Sequence, residues 1–277
     1  LSSGAHAGKS DASGGSAVNT LASLVALCLV PGVGGVTLQA LLDRFGSVEA
    51  ILSASIDDLQ ATPGVGPRIA AAIRAVDVAQ TAAEMAAWQE EGLAVITRAQ
   101  SSYPPLLFGL RDSPPVLFCR GTLTEADARA VSIVGTRHPT RASRHFAERL
   151  GCELAARGWT IVSGLAWGID HAAHTGALQG GRTVAVLGSG LRAPLPPEKS
   201  RLAAAIIQRG ALLSEVHPDT LPNPAALVAR NRLIAGMSAA IIVVEAGERS
   251  GSLHAARFAA RQQRARFAVD NGCAGNT

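Results

Sequence analysis

Arginines, serines and glycine-freed backbone amides recur together in four segments of the C-terminal half: VSIVGTRHPT (131–140), TIVSGLAWGIDHAAH (160–174), ARNRLIAGMS (229–238) and IIVVEAGERSGSL (241–253). Each is read as the C-terminal end of a strand. In a parallel α/β sheet such ends gather along one edge, so Gly135, Thr136, Arg137, Ser163, Gly164, Gly168, Asp170, Arg230, Asn231, Arg232, Ser250, Gly251 and Ser252 are expected to meet in one crevice. Guanidinium forks and helix N-terminal amides hold phosphate oxygens. No nucleophile stands beside a base in these segments, so the chemistry expected is phosphate binding, with no catalytic residue.

Gly135-Thr136-Arg137 lies between an apolar strand and a helix that Thr140 is placed to cap. A nicotinamide site is disfavoured, because GxGxxG is absent and the next strand ends in Ser163-Gly164 where an acid for the ribose would stand. In the second segment Ser163, Gly164 and Gly168 allow a close main-chain approach, and Asp170 is placed to cap the next helix and hold the loop. Asp170, His171 and His174 raise metal binding, yet helix spacing leaves only Asp170 and His174 on one face. With no third ligand at a familiar spacing, neither metal nor cofactor is expected, and His174 is read as structural. Arg230 and Arg232 flank Asn231 at a helix start, with no acid following until Glu245; such a gathering is costly unless a polyanion neutralises it. In the fourth segment Ser250 is placed to cap a helix, and Gly251 and Ser252 present amides and a hydroxyl. Glu245 is read as a loop brace, with a catalytic carboxylate as the alternative.

Positioning these loops takes a regular frame. Strands are expected at 131–135, 160–163, 183–188, 211–216, 239–245 and 265–269, with helices near 141–157, 169–179, 198–209, 230–236 and 251–263. That alternation implies an α/β fold: a doubly wound, mainly parallel, Rossmann-like sheet with right-handed crossovers. GLAVITRA (92–99) and PVLFCRG (115–121) would extend it. Residues 20–85 differ. There VPGVGGVTLQALLDRF, from Val30, is echoed by TPGVGPRIAAAIRAV, from Thr62. Pro-Gly-apolar-Gly ahead of a helical pattern reads as a helix-hairpin-helix, and two copies as a tandem, SAM-like all-α domain. Its hairpins could approach a DNA phosphate with help from Arg68, but the acidic balance of this half favours a scaffold or docking role. The expected division is a disordered tail over 1–19, the helical domain over 20–85 and the Rossmann-like domain over 86–277.

Residues 1–130 carry 8 Lys/Arg against 12 Asp/Glu, and residues 131–277 carry 17 against 9, so the halves are −4 and +8. A polyanionic partner should therefore meet the C-terminal half. Of 25 basic residues 23 are arginine, a bias that base composition of the gene also produces, so position must decide their role. Cys28, Cys119, Cys152 and Cys273 form no paired spacing, which fits reduced thiols in a cytoplasmic protein. The longest apolar stretch, residues 21–30, is too short to span a bilayer and ends in Pro-Gly, so no membrane association is expected.

In order along residues 24–269, the motifs PGVG, YPPLL with PPVLFCRG, SIVGTR, IVSGLAWGIDHAAH, AVLGSGL, LLSE, RNRLIAGMS, VVEA and SGSL resemble the DprA/Smf family of bacterial DNA-processing proteins. The resemblance implies an extended Rossmann fold preceded by a SAM-like domain. It also implies single-stranded DNA binding, a homodimer, and loading of RecA recombinase onto DNA during natural transformation and recombination, without enzymatic activity. Carried over by position, the DNA pocket would comprise Gly135, Arg137, residues 163–170, Lys199 and residues 230–232. Leu195-Pro196 and Lys199 stand where the family shows Tyr-Pro and a following Asn, and Leu227-Val228 where it shows Phe-Pro, so no stacking aromatic carries over to those positions. After FAVD (267–270) the family's Pro-Gly loop is missing, and no C-terminal winged-helix domain is expected. The rival from another class is a phosphoribohydrolase-like, nucleotide-processing enzyme on a similar crevice with Glu245 as its acid; its PGGxGTxxE pattern is not found.

Overall fold

The structure is a computed structural model that describes residues 12–248 and 250–269. It divides into two units, Leu1–Glu91 and Gly92–Thr277. In the first, the echoed sequence becomes echoed geometry. Helix α1 (Ala12–Cys28) leads into a turn closed by the Val33 amide on the Val30 carbonyl, and α2 (Gly35–Phe45) starts beyond Gly34. After α3 (Val48–Ser53) and α4 (Ile56–Gln60) the same turn returns, with the Val65 amide on the Thr62 carbonyl and α5 (Pro67–Arg74) starting beyond Gly66. Ser47 and Ser55 cap α3 and α4 through the amides of Ala50 and Asp58, each satisfying a donor the helix leaves orphaned. The apolar stripes close over one core of Leu27, Leu38, Leu41, Ile51, Leu59 and Ile73 among others.

Two expectations change here. Helix α1 begins at Ala12, so helix replaces the tail expected over 1–19 from that residue on; residues 1–11 lie outside the described residues. The boundary falls at Glu91/Gly92 rather than at 85/86, because α6 (Val78–Glu90) packs on α1 and buries Trp88.

In the second unit the described strands form one eight-stranded sheet. Its elements are β1 (Leu93–Thr97), α7 (Pro105–Phe108), β2 (Val116–Gly121), a 3-10 turn (Glu125–Ala128), β3 (Ala130–Val134), α8 (Arg141–Ala156), β4 (Thr160–Ser163), α9 (Ile169–Gly180), β5 (Thr183–Val186), α10 (Pro197–Arg209), β6 (Ala211–Ser214), α11 (Pro224–Ala229), α12 (Asn231–Gly236), β7 (Ala240–Val243), α13 (Ser252–Arg261) and β8 (Ala265–Ala268). The order is β1-β2-β6-β5-β4-β3-β7-β8. β3 to β8 pair in parallel, whereas β1 and β2 add antiparallel pairs at one side. Strands β3, β4, β5 and β6 are buried at every residue, as continuous apolar runs covered on both faces must be. At the far edge, β8 is exposed along its whole length, with Phe267 57% exposed.

Helices α8 and α9 touch backbone to backbone. A Cβ at Gly151 would press on the Ala173 carbonyl, one at Gly176 would overlap that of Glu148, and one at Gly180 that of Cys152. Residues 270–277, and Cys273 with them, lie outside the described residues.

Candidate functional site

The chain leaves β3 for one side of the sheet, through β4, β5 and β6, and later returns to β7 on β3's other flank. Where the order reverses, the crossover helices diverge and a crevice opens beyond the carboxyl ends of the strands. A cavity of about 610 Å³ lies there, formed by the loops after β3, β4 and β7 together with α11 and the start of α12.

Glu245 ties the first loop to the last. Its backbone carbonyl accepts the Thr136 amide at 2.6 Å, and its carboxylate accepts the Thr140 amide at 3.0 Å and the Thr140 hydroxyl at 3.1 Å. Burial pushes the Glu245 carboxyl up, but hydrogen bonds from Ser143 and Thr140 outweigh it and hold the group below its usual range. Thr140 caps α8 through the Ser143 amide. The loop after β4 is held differently. The Asp170 carboxylate accepts the amides of Gly164 and Ala166 at 3.2 and 3.3 Å, around a Leu165 in the left-handed region at φ 55°. Gly168, at φ 81°, lies so close to the carbonyls of Thr136 and Arg137 that a Cβ would overlap them, and the Ile169 amide donates to the Thr136 carbonyl. The two loops are thus one body.

Arg137, Lys199 and Arg230 converge at this place. Arg137 and Arg230 line the cavity. Burial, and then the Arg137 charge, push the Lys199 ammonium down, while Asp170 pulls the other way, so these three cations and Asp170 share one field. Arg230 is buried, with one guanidinium nitrogen on the Val186 carbonyl. Gly164 makes room for it, since a Cβ there would overlap the guanidinium. Burial lowers Arg230 and raises Asp170, and each charge offsets part of the other's desolvation. Thr136, Asn231, Ser250, Gly251 and Ser252 also line it. The Ser250 hydroxyl bonds that of Ser252, and the Asn231 amide reaches the Gly251 carbonyl at 3.4 Å.

Arg232 is not part of this lining. It points to the other side of α12, paired with Glu215 and 3.7 Å from Asp112. Both acids are distant in sequence, so the run of residues around Arg232 does not announce them. Ser163 is fully buried, its hydroxyl 2.6 Å from the Ile133 carbonyl, and braces strands instead of meeting a ligand. Asp170 is a loop brace inside the first turn of α9 and not its cap, which is Gly168. Likewise Gly251, not Ser250, precedes α13. His174 is buried with Nδ1 2.7 Å from the Thr183 hydroxyl. Trp167, which the resemblance placed in the pocket only as part of residues 163–170 and with no role of its own, stands on the loop after β4 with Lys199 Nζ 5.1 Å from its ring centroid. A lone indole between glycines was the available signal. The sequence reading gave no role to His138, which lines the cavity, and Leu227 and Val228, noted only as departures from the family's Phe-Pro, line it too.

Comparison with known proteins agrees with this geometry. Residues 94–276 match the profile of the family described as DNA recombination-mediator protein A, and residues 24–75 that of a SAM-like helix-hairpin-helix tandem. The chain is 40% identical over 187 residues to the DNA processing protein DprA of Bacillus subtilis, covering 67% of this chain and 63% of that one. It is 45% identical over 173 residues to Protein Smf of Escherichia coli, covering 60% and 45%. The chain thus spans less than two thirds of the length of these relatives. Among solved structures, DNA processing protein A of Streptococcus pneumoniae superposes with a TM-score of 0.77 at 30% identity, over 90% of this chain and 86% of that one. That of Helicobacter pylori, described for its single-stranded DNA binding mode, gives 0.59 at 32%, over 65% and 81%. A profile match through the whole sheet, with two solved relatives of the same architecture, makes this chain a member of the DNA recombination-mediator protein A family.

Proposed function

We propose that this protein is a non-catalytic, cytoplasmic mediator that binds single-stranded DNA, protects it on entry, and loads RecA recombinase onto it during natural transformation and recombination. One observation carries the DNA reading: Arg137 and Arg230 line, with the loops after β3 and β7, a cavity of about 610 Å³ at the reversal of the sheet, and the Lys199 ammonium feels both charges. A crevice of that size admits the sugar-phosphate units of a strand. Contacts to backbone rather than base edges give weak sequence preference and strong salt dependence. The Helicobacter pylori relative, described as a single-stranded DNA binder, supports the choice of ligand. A homodimer is supported by β8, an uncovered edge strand carrying exposed Phe267. RecA loading rests on family membership alone. Against the enzymatic rival, the Glu245 carboxylate braces Thr140 and does not line the cavity.

The test is a mobility shift with single- and double-stranded oligonucleotides across a range of salt. Preference for the single strand, with affinity falling steeply as salt rises, is the expected outcome; equal binding of both forms refutes it. Release of free base from nucleoside monophosphates would restore the enzymatic alternative.

A further inference from the structure

The loop that carries Ala166 and Asp170 into the crevice also presents Trp167. Trp167 is 37% exposed on a loop whose other residues are drawn inward. The indole lies nearly parallel to the His171 imidazole, at 17° with centroids 6.0 Å apart. Lys199 Nζ stands 5.1 Å from the indole centroid. Lys199 in turn feels the charges of Arg137 and Arg230. An aromatic face is therefore joined, through one lysine, to the cluster that would hold phosphates. Proteins that grip single strands combine these two parts, a cationic track for the backbone and an aromatic platform for bases. Within the cavity itself the one aromatic ring of the lining is His138, smaller than an indole, among glycine, serine, arginine and aliphatic residues.

We infer that Trp167 is a base-stacking platform: a base of the strand whose phosphates rest on Arg137, Lys199 and Arg230 lies on the indole, and Lys199 turns from the ring to the neighbouring phosphate. This rests on the single-strand reading above, and adds that the bases themselves contribute to affinity. It also explains why a tryptophan is tolerated in the open beside Gly168. Stacking uses the π-face that every base has, so it brings no sequence preference.

The test compares the unaltered protein with Trp167→Ala and Trp167→Phe, each titrated with oligothymidylate and with an abasic deoxyribose-phosphate oligomer of equal length. Trp88 and Trp159 remain in every variant, so the difference in emission reports Trp167. Oligothymidylate should quench that emission and the abasic strand should not. W167A should lose roughly 5- to 150-fold in affinity for oligothymidylate, bind the abasic strand unchanged, and keep its salt slope, with W167F recovering most of the loss. If W167A binds both strands as the unaltered protein does, or loses both equally, stacking is overturned while DNA binding stands. If the unaltered protein binds neither strand, the single-strand reading fails and this inference fails with it.

Discussion

Arg230 and Arg232 sit on either side of one asparagine, yet α12 turns them to different neighbours: the first to the cavity with Asp170, the second to Glu215 and Asp112. Replacing Arg137 or Lys199 with alanine should reduce the slope of log affinity against log salt by about 0.7 per lost contact to a single strand. Arg232→Ala should leave that slope alone and lower stability by about 3 kcal/mol, because it abandons a largely buried Glu215; salt titrations and chemical unfolding separate the two outcomes. Residue types were readable in sequence, since arginine beside glycine at strand ends points to phosphate. Their partners were not, because Asp112 and Glu215 reach Arg232 only through folding. His174 makes a further prediction at this scale. Burial first, then the charges of His171 and Arg230, hold its pKa down at about 3 against an ordinary 6.5. The unfolded chain therefore takes up a proton near pH 6.5 that the folded chain refuses, so this stability is complete above that pH and drains as pH falls towards 3. From pH 7 to pH 5 the loss from this group is on the order of 2 kcal/mol. Unfolding curves at the two pH values should differ by that much more in the unaltered protein than in His174→Asn.

Among the elements, the strands of the parallel sheet and the helices after them were legible, because apolar runs ending in glycine alternate with helical periods over residues 131–269. The short α11 was hidden by the prolines of LPNPAA, which read as loop although Pro224 takes a position at a helix start, where proline is welcome. The closeness of α8 to α9 was also hidden: Gly151, Gly176 and Gly180 are each a place where another backbone arrives, and that partner comes from a different helix. Gly176→Ala should force the Glu148 carbonyl away and destabilise the second unit by about 2 kcal/mol, seen as a lowered melting temperature with secondary structure retained.

For the whole molecule, the division at Glu91/Gly92 sharpens the charge contrast. Residues 1–91 carry 4 Lys/Arg against 9 Asp/Glu, and residues 92–277 carry 21 against 12, so the units are −5 and +9. Each has its own apolar core. A chain beginning at Gly92 should accordingly fold, and bind a single strand with a salt slope equal to that of the full chain in parallel titrations; a smaller slope would put phosphate contacts on the helical unit. Among the described residues no helix is long and apolar enough to cross a membrane. The glycine seam between α8 and α9 matters here too, since the loops that open these helices are the ones carrying Arg137 and Asp170. With those helices locked, the mouth of the crevice is preorganised, and an arriving polymer has little to rearrange. Encounter should then set the speed of capture: fast at low ionic strength, slowed as counterions mask the attraction, with little sign of a later isomerisation step.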